Sequence, residues 1–296
     1  MKVVALPDVR PRDRRVAVGT FDGVHLGHRQ VIAGADAVLT FDPHPASVVS
    51  PSRAPKLLTD LPRKAELIAS LGVQEMIVVP FDDAFAAKRA DEFIDEVLVR
   101  LLGARQVSVG ENFRFGHRAE GDVELLRAQG EFATTVHPLL EVDGEIVSSS
   151  HIRNLVAAGE VARAARLLGG PFTMRGEVVH GEKRGRELGF PTANIVPDER
   201  LACPAHGVYA CAVDGATAAV SIGVRPTFET GAAELIEAHL LDFTGNLYGA
   251  EVQIAFLQRL RGERRFDSAE ALIEQMRIDV QAVSEIAARL SSASQM

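Results

Sequence analysis

The chain has 296 residues, 47% of them hydrophobic, and a formal net charge of −8. That length predicts about two domains, each large enough to bury its own core. The excess of acidic residues argues against a broad surface that binds nucleic acid or an anionic membrane. The sequence shows no apolar stretch of membrane-spanning length and no secretory hydrophobic region near its start, so we expect a cytoplasmic protein.

The first half of the chain alternates short β-rich runs with helical ones, from residue 16 to about residue 169. Strands are predicted over 16–18, 37–41, 76–80 and 106–110, and helices over 63–70 and 91–102. Such alternation predicts an α/β domain with a parallel sheet that binds its ligands at the carboxyl ends of the strands.

The run GTFDGVHLGH, residues 19–28, follows the first of these strands and opens a helix. Gly19 and Gly27 allow close approach of a ligand to the backbone, and His25 and His28, at i and i+3, share one helical face. Two imidazoles beside a helix start suit a phosphate and can stabilise charge during displacement at phosphorus. A His pair that only caps the helix, or that binds a structural metal, is the alternative.

Two further loops follow predicted strands in this half. TFDPHP supplies Asp42 and His44, although a tight turn with an exposed histidine would give the same pattern. GENFRFGHRAEGD contains Asn112, and Phe113 and Phe115 offer aromatic faces to a planar ligand, unless either ring belongs to the core.

The segment SSSHIR is predicted to open a helix at residues 148–153. Ser149, Ser150 and Arg153 at that helix start form a second anion cradle. An ordinary serine N-cap is the alternative. Only residues 29–39 separate His28 from the TFDPHP segment, so the helix that carries the histidines must be short.

The second half begins at a predicted boundary near residues 168–171, where a helix gives way to glycine and proline. Strands are predicted over 172–179, 207–213, 218–223, 235–243 and 251–257, which suggests a small antiparallel barrel. A closing helix is predicted from a capping box at Asp267 and Glu270. Its expected apolar stripe contains Leu272, Met276, Val280, Val283 and Leu290. The two cysteines, Cys203 and Cys211, are expected to be free thiols.

The segment GEKRGRELGFPTAN, residues 181–194, differs from a Walker A loop but follows a related logic. Backbone N–H groups near its glycines and its basic side chains can hold phosphates. The residues expected to do so are Gly181, Lys183, Gly185 and Arg186. Thr192 and Asn194 present hard oxygen donors on one face of an extended segment, which suits Mg²⁺. A basic turn followed by a proline-bounded strand is the alternative.

Glu237 lies in LIEAHLLDF, where its neighbours along the strand are apolar on both faces. A carboxylate there is either present for chemistry or paired structurally, and His239 on the same face is the candidate partner.

Taken together, the HxGH string, TFDPHP and the segment 181–195 resemble the bacterial bifunctional riboflavin kinase/FAD synthetase family over nearly the whole chain. The resemblance implies an α/β plus β fold: a Rossmann-like nucleotidyltransferase domain over residues 1–169 and a riboflavin kinase barrel with a closing helix over residues 170–296. It implies phosphorylation of riboflavin by ATP to give FMN, then adenylylation of FMN by ATP to give FAD and pyrophosphate.

The resemblance also implies roles for individual residues. His25, His28 and Glu237 would be catalytic, with Glu237 the base for the ribityl hydroxyl. ATP and phosphate contacts would come from Gly19, Phe21, Asp22, Gly27, Asn112, Ser149, Ser150, Arg153, Gly181, Lys183, Gly185 and Arg186. Flavin contacts would come from Phe113, Phe115 and Arg225, and Mg²⁺ ligands from Thr192 and Asn194.

The expected partners are therefore the small molecules riboflavin, FMN and ATP, with Mg²⁺ as cofactor and with neither nucleic acid nor membrane. The apolar helix faces leave oligomerisation open. Two other functions stay open at this point: a riboflavin kinase whose shortened transferase half is inactive, and a non-catalytic flavin-binding storage or regulatory protein.

Overall fold

The computed structural model describes residues 1–181, 189–227 and 231–293; for 224–227, 231–233 and 291–293 only the backbone is described. The chain divides into two compact units, Met1–Ser149 and Ser150–Met296. None of the helices within these ranges is long and apolar enough to cross a membrane.

The first unit is built on a six-stranded parallel sheet with strand order β1-β4-β3-β2-β5-β6. These strands are β1 Lys2–Ala5, β2 Arg14–Val18, β3 Ala37–Asp42, β4 Glu75–Pro80, β5 Ala104–Gly110 and β6 Ala133–His137, followed by a small hairpin of β7 Glu141–Val142 and β8 Glu145–Ile146. The four predicted strands and the parallel pairing are confirmed. The sequence pattern missed the two edge strands β1 and β6, whose side chains are mostly exposed or half-buried and therefore carry a weaker apolar signal.

Helices cover both faces of this sheet. They are α1 Leu26–Ile32, α2 Pro45–Val49, α3 Leu61–Ser70, α4 Asp83–Ala86, α5 Ala90–Glu92 and α6 Val123–Arg127, and α5 continues as a π-helix over Phe93–Leu101. The predicted helix 91–102 is thus present, but its turns are wider than α-helical ones: the N–H of Leu102 donates to the carbonyl of Val97, five residues back. The predicted short helix after the histidines is confirmed, since α1 has seven residues.

Two apolar cores lie in the first unit, one on each face of the sheet. The larger contains the buried side chains of the π-helix together with Phe115 and Phe132. The smaller is formed by Ile68 of α3, Ile32 of α1 and Met76 of β4. Because α1 and α3 pack into the same core, the segments that precede them are also fixed near each other.

The second unit is a closed barrel of six antiparallel strands in the order β10-β13-β12-β11-β14-β9. The strands are β9 Phe172–Val179, β10 Ala193–Pro197, β11 Gly207–Val213, β12 Ala216–Thr227, β13 Gly231–Leu240 and β14 Glu251–Arg261. The predicted barrel is confirmed, and β10 completes it as a strand paired with both β9 and β13.

The helix predicted before the boundary is two helices, α7 Ser149–Ala157 and α8 Val161–Leu168. Gly159, with φ of 78°, lies between them, because its left-handed backbone ends a helix without steric cost. Helix α8 packs against β9 and β14, so the compact barrel unit starts at Ser150 and not at Gly170. The division of function at residues 169/170 stays a prediction.

The closing helix α9, Ala269–Ala293, differs from the prediction at two points. Its first turn is capped by Ser268, whose Oγ accepts the N–H of Ala271, so the capping box assigned to Asp267 is wrong by one residue. Val283 is buried as predicted, but Leu290 is 45% exposed, and the sequence pattern missed Ile286, which is buried against the barrel.

Candidate active sites of the two units

The two histidines of the first unit are held together by the start of α1. His25 is the N-cap, and its Nδ1 accepts the backbone N–H of His28 at 3.2 Å. The two rings stack with centroids 3.5 Å apart and an interplanar angle of 15°. The predicted common face is therefore confirmed, and because His25 Nδ1 is an acceptor, a neutral His25 carries its proton on Nε2.

His28 is half-buried, and its ring contacts those of His25 and Phe21. The edge of Phe21 meets its ring at a centroid distance of 5.3 Å, and its Nδ1 is buried with no hydrogen-bond partner among the described residues. Burial, the charge of His25 and the charge of Lys64 together hold the pKa of His28 well below its usual value. His28 is thus a neutral imidazole at physiological pH.

The loop before α1 is fixed by Asp22, which is almost fully buried. Its Oδ1 accepts the backbone N–H groups of Leu58 at 2.8 Å and Thr59 at 3.1 Å. Thr59 Oγ1 in turn accepts the N–H of Gly23 at 3.1 Å. The Asp22 carboxylate thereby joins the histidine loop to the segment that leads into α3.

Close packing explains the small residues of the histidine loop. A β-carbon at Gly19 would lie 3.0 Å from the ring of Phe21, and one at Gly27 would lie 3.3 Å from the ring of His25. Phe21 has a positive φ of 49° and its ring is buried. The ring therefore has little surface to offer a ligand, and the contact of Phe21 with ATP stays a prediction.

A cavity of about 920 Å³ opens at the carboxyl ends of the central strands, as expected for a parallel sheet. Gly19, Phe21, His28, Asn112, Phe113 and Phe115, all predicted site residues, line it. The rings of Phe113 and Phe115 stack at 5.5 Å, although Phe115 is also buried in the core against Phe93.

Sequence reasoning missed most of the aromatic wall of this cavity. Phe41, Phe81 and Phe85 line it and contact one another at centroid distances of 5.6 to 6.3 Å. Phe41 lies at the end of β3, and Phe81 directly follows β4. An aromatic residue at the carboxyl end of two predicted parallel strands is the signal that could have located them.

The segment SSSHIR lies at the division between the two units. The hydroxyl of Ser149 donates to the carbonyl of Asp22 at 2.9 Å, so Ser149 is hydrogen-bonded to the histidine loop. Ser150 and Arg153 lie in the second unit, where Arg153 Nη1 is 3.4 Å from Ser150 Oγ. The predicted helix start is confirmed, and the phosphate-binding role of the three residues stays a prediction.

Lys64 is a further residue that the sequence analysis missed. It lies on α3 and is only 7% exposed. The spacing Leu61, Lys64, Ala65, Ile68 places it on the apolar face of the helix, and a lysine at such a position is the signal that could have marked it.

In the second unit the proposed kinase residues come together on adjacent strands. Asn194 of β10 is the direct cross-strand partner of Glu237 of β13. Asn194 is 9% exposed, and the Gly181 backbone approaches it so closely that a β-carbon there would overlap the Asn194 amide. His239 lies two residues beyond Glu237, and its Nδ1 is 2.9 Å from the carbonyl of Pro191. His239 is thus bound to the segment that precedes Thr192.

A smaller cavity of about 400 Å³ lies beside these strands. It is lined by Thr192, by the apolar side chains of Val178 and Leu240, and by residues 243–248. Tyr248, on that last segment, stacks on His180 with ring centroids 4.1 Å apart. The cavity therefore combines a hydroxyl with apolar and aromatic walls.

Three predicted phosphate contacts, Lys183, Gly185 and Arg186, lie outside the described residues. Arg225 is part of β12, opposite Ala233, but its side chain is outside the description as well. Both cysteines are free, with Cys211 fully buried and burial raising the pKa of its thiol. Among the described residues, no group of three His, Cys, Asp or Glu side chains could hold a metal ion.

Comparison with known proteins separates the same two halves. A family model for FAD synthetase matches residues 8–151, and one for riboflavin kinase matches residues 168–287. A bifunctional riboflavin kinase/FMN adenylyltransferase of Listeria monocytogenes is 41% identical, with 93% of each chain covered. The protein of the same description from Escherichia coli K12 is 38% identical over 89% of this chain and 90% of its own. A crystal structure described as a macrolide-efflux protein from Streptococcus pneumoniae superposes with a TM-score of 0.88 at 29% identity, covering 96% of this chain and 99% of that one.

The fold and the paired histidines thus define a two-unit transferase, in which a nucleotidyltransferase-type α/β unit is joined to a riboflavin kinase-type barrel. More than a third of the residues are identical to those of each of these two relatives, over nearly the full length of both. The chain therefore belongs to the bifunctional riboflavin kinase/FMN adenylyltransferase family. It is an enzyme of FMN and FAD synthesis whose substrates are riboflavin, FMN and ATP.

Proposed function

We propose that the two activities of the family are divided between the two units, with adenylyl transfer to FMN at the histidine loop and phosphorylation of riboflavin on the barrel. The observation that carries this proposal is the separate placement of the residues: His25 and His28 stack within the first unit, and Asn194 pairs with Glu237 within the second. We propose the functional boundary near residues 169/170, so residues 150–169 belong to the transferase half of the sequence although they lie in the second compact unit.

In the transferase reaction a phosphate oxygen of FMN attacks the α-phosphorus of ATP, and pyrophosphate leaves. His25 bears its proton on Nε2, because Nδ1 accepts a backbone N–H. For His28, an unpartnered lone pair on buried Nδ1 costs less than an unpartnered N–H, which favours the same tautomer. Two N–H donors can then stabilise charge that grows on the transferring phosphate.

The larger cavity is assigned to the FMN acceptor of this step. Its volume of about 920 Å³ falls in the usual range for a cofactor-sized ligand. Phe113 and Phe115 present stacked rings, and the wall of Phe41, Phe81 and Phe85 adds apolar surface for an isoalloxazine ring. Asn112, exposed at the rim, and the loop of Gly19, Phe21, Asp22 and Gly27 are assigned to the nucleotide, with Ser149, Ser150 and Arg153 assigned to pyrophosphate.

On the barrel, Glu237 is assigned the role of base for the ribityl hydroxyl that attacks the γ-phosphorus of ATP. Thr192 and Asn194 would hold Mg²⁺. The donor set fits that ion, because the hydroxyl and amide oxygens are hard ligands and the Gly181 backbone leaves no room for a side chain against the Asn194 amide. When bound, Mg²⁺ would neutralise charge on the ATP phosphates.

The remaining residues of this site are assigned by the resemblance of their motifs. Gly181, Lys183, Gly185 and Arg186 would hold the phosphates, and Arg225 would contact the flavin. The cavity beside Thr192, with its apolar walls and Tyr248, suits the adenine ring of the ATP that phosphorylates riboflavin. We place the enzyme in the cytoplasm, with small-molecule partners and with neither nucleic acid nor membrane.

The test is incubation of the purified protein with riboflavin, ATP and Mg²⁺, with chromatographic separation of FMN and FAD. Wild type should make both products. His28→Ala should slow FAD formation by about 10²-fold or more, as loss of a preorganised donor does, and should leave FMN formation unchanged. Equal loss of both activities in a folded variant would contradict the division between the units.

A further inference from the structure

Lys64 is a buried cation that the proposed reaction does not yet use. It is 7% exposed on the face of α3 that also carries Leu61, Ala65 and Ile68, all of which pack in the smaller core. Removing an ammonium group from water is costly unless opposite charges compensate for it. An apolar residue would be the ordinary choice at this position.

The charges of three carboxylates offset part of that cost, and each carboxylate comes from a different part of the transferase unit. Asp22 is in the histidine loop, Asp42 ends β3, and Asp60 caps α3 by accepting the N–H of Arg63 at 2.7 Å. Burial lowers the pKa of Lys64, and all three carboxylates oppose that change. Lys64 therefore lies where the ends of β2 and β3 meet the start of α3.

The backbone around Lys64 is tied to the same loop. Leu58 and Thr59, just before α3, donate their N–H groups to Asp22, and the Thr59 hydroxyl accepts from Gly23. A change in the position of α3 would therefore move the loop that carries His25 and His28.

We propose that Lys64 is a positioning residue for adenylyl transfer, whose ammonium group holds Asp22 and Asp42 in place and puts a fixed positive charge beside His28. This inference rests on the role proposed above for His28. Lys64 is not among the described residues that line the large cavity, whereas His28 is. It therefore acts through the histidine loop and not by contact with FMN.

The charge of Lys64 has a consequence for His28 that a purely structural residue would lack. In addition to burial, the charge of Lys64 and the charge that His25 carries when it is protonated disfavour protonation of His28. The other walls of the cavity carry further charged and titratable groups, namely Asp83, Lys88, Arg114, His117 and Arg118. Removing the Lys64 charge should therefore raise the pKa of His28, and restoring a charge at residue 64 should lower it again.

The experiment compares Lys64→Met, which keeps the length and removes the charge, with Lys64→Arg, which keeps the charge. Both are measured as full-length protein for FMN-to-FAD conversion across pH, with riboflavin-to-FMN conversion as the internal control. Arg63→Met removes the neighbouring cation of α3, which is paired with Glu66 at 2.9 Å, and serves as the matched control.

Lys64→Met should lower kcat for FAD formation by about 10²-fold, the size of effect that follows displacement of a catalytic group. The KM for FMN should change little, and the acid limb of the kcat profile should move to higher pH. Lys64→Arg should restore the position of that limb, and Arg63→Met should match wild type. Imidazole signals followed by NMR across pH should show His28 titrating higher in Lys64→Met.

An unchanged pH profile and unchanged His28 titration in folded Lys64→Met would overturn the inference. If Lys64→Met does not fold, Lys64→Arg decides: activity with a wild-type acid limb supports the inference, and a shifted limb overturns it. Full FAD formation by His28→Ala would instead refute the proposed function. The two failures are therefore distinguishable.

Discussion

Asn194 and Glu237 stand directly opposite each other in the antiparallel pairing of β10 with β13. Cross-strand partners have β-carbons about 4.5 to 5.5 Å apart, so the amide and the carboxylate share one face of the barrel. Glu237 is also opposite Ser221 of β12, which places it on a strand with neighbours on both sides. If Asn194 is a metal ligand and Glu237 the base, as proposed, this pairing leaves little reorganisation to be done when substrates bind.

Glu237→Gln tests the proposed base without a large change of shape. We expect FMN formation to fall by about 10² to 10⁴, the usual contribution of a general base, with riboflavin binding retained. Glu177→Gln is the matched control, because Glu177 is an exposed carboxylate on β9, one strand away, opposite Val196 of β10. Normal phosphorylation by Glu237→Gln, measured as FMN produced, would make Glu237 structural.

Gly181→Ala tests the contact with Asn194. The added β-carbon would overlap the Asn194 amide, so that side chain or the Gly181 backbone must shift. We expect FMN formation to fall and the Mg²⁺ concentration for half-maximal rate to rise, while FMN-to-FAD conversion is unaffected. Gly170→Ala is the control, since nothing lies within 4 Å of a β-carbon there. Equal kinase rates in the two variants would show that the close approach is not needed.

The neutral state of His28 predicts how the stability of the first unit depends on pH. Its pKa is held well below the ordinary 6.5 in the folded state by burial and by the charges of His25 and Lys64, and it returns toward 6.5 on unfolding. The unfolded chain therefore binds more protons below pH 6.5, so the free energy of unfolding falls as pH decreases through this window toward the folded pKa.

Hydrogen exchange is the suitable measurement for that fall, because the chain has no tryptophan and both tyrosines, Tyr209 and Tyr248, lie in the barrel unit. Amides of β2 and α1, corrected for intrinsic exchange, should lose protection between pH 7.5 and pH 5.5. His28→Gln should lose less over the same range. An equal loss in both proteins would show that another group causes it.

The buried ion pair of Arg14 and Glu75 predicts a large effect on the stability of the same unit. Arg14 Nε is 2.9 Å from Glu75 Oε2, and the Arg14 side chain is 2% exposed. Glu75→Ala should cost about 3 kcal/mol, because it leaves a buried guanidinium without its counter-charge. Asp13→Ala, which breaks an exposed pair with Arg105, should cost less than about 1 kcal/mol. Exchange rates in β2 and β4 would report both, and equal costs would contradict the prediction.

Much of the molecule could be predicted from sequence because its signals are local. The strand before the histidines, the i, i+3 spacing of His25 and His28, and the paired signatures of the two halves each depend on a few consecutive residues. Helix geometry then brings the two imidazoles to one face, whatever the rest of the chain does.

Other features were decided only by tertiary contacts. The cap of α9 lies at Ser268 and not at the neighbouring Asp267, a choice between two adjacent N-cap residues that the sequence pattern leaves open. Helix α8 joined the barrel unit because its apolar face packs on β9 and β14, strands that no local pattern links to it. Edge strands β1 and β6 are recognised only through their parallel partners.

The site shows the same distinction at the level of single residues. The sequence alone determined that His28 and Glu237 are present in the right motifs, but not that Lys64 would lie among Asp22, Asp42 and Asp60, or that Asn194 would face Glu237. Apart from Asp60, which is close to Lys64 in sequence, those relationships join residues 22 to 43 positions apart. They depend on strand order and register, which are set by the burial of whole faces and not by any single run of residues.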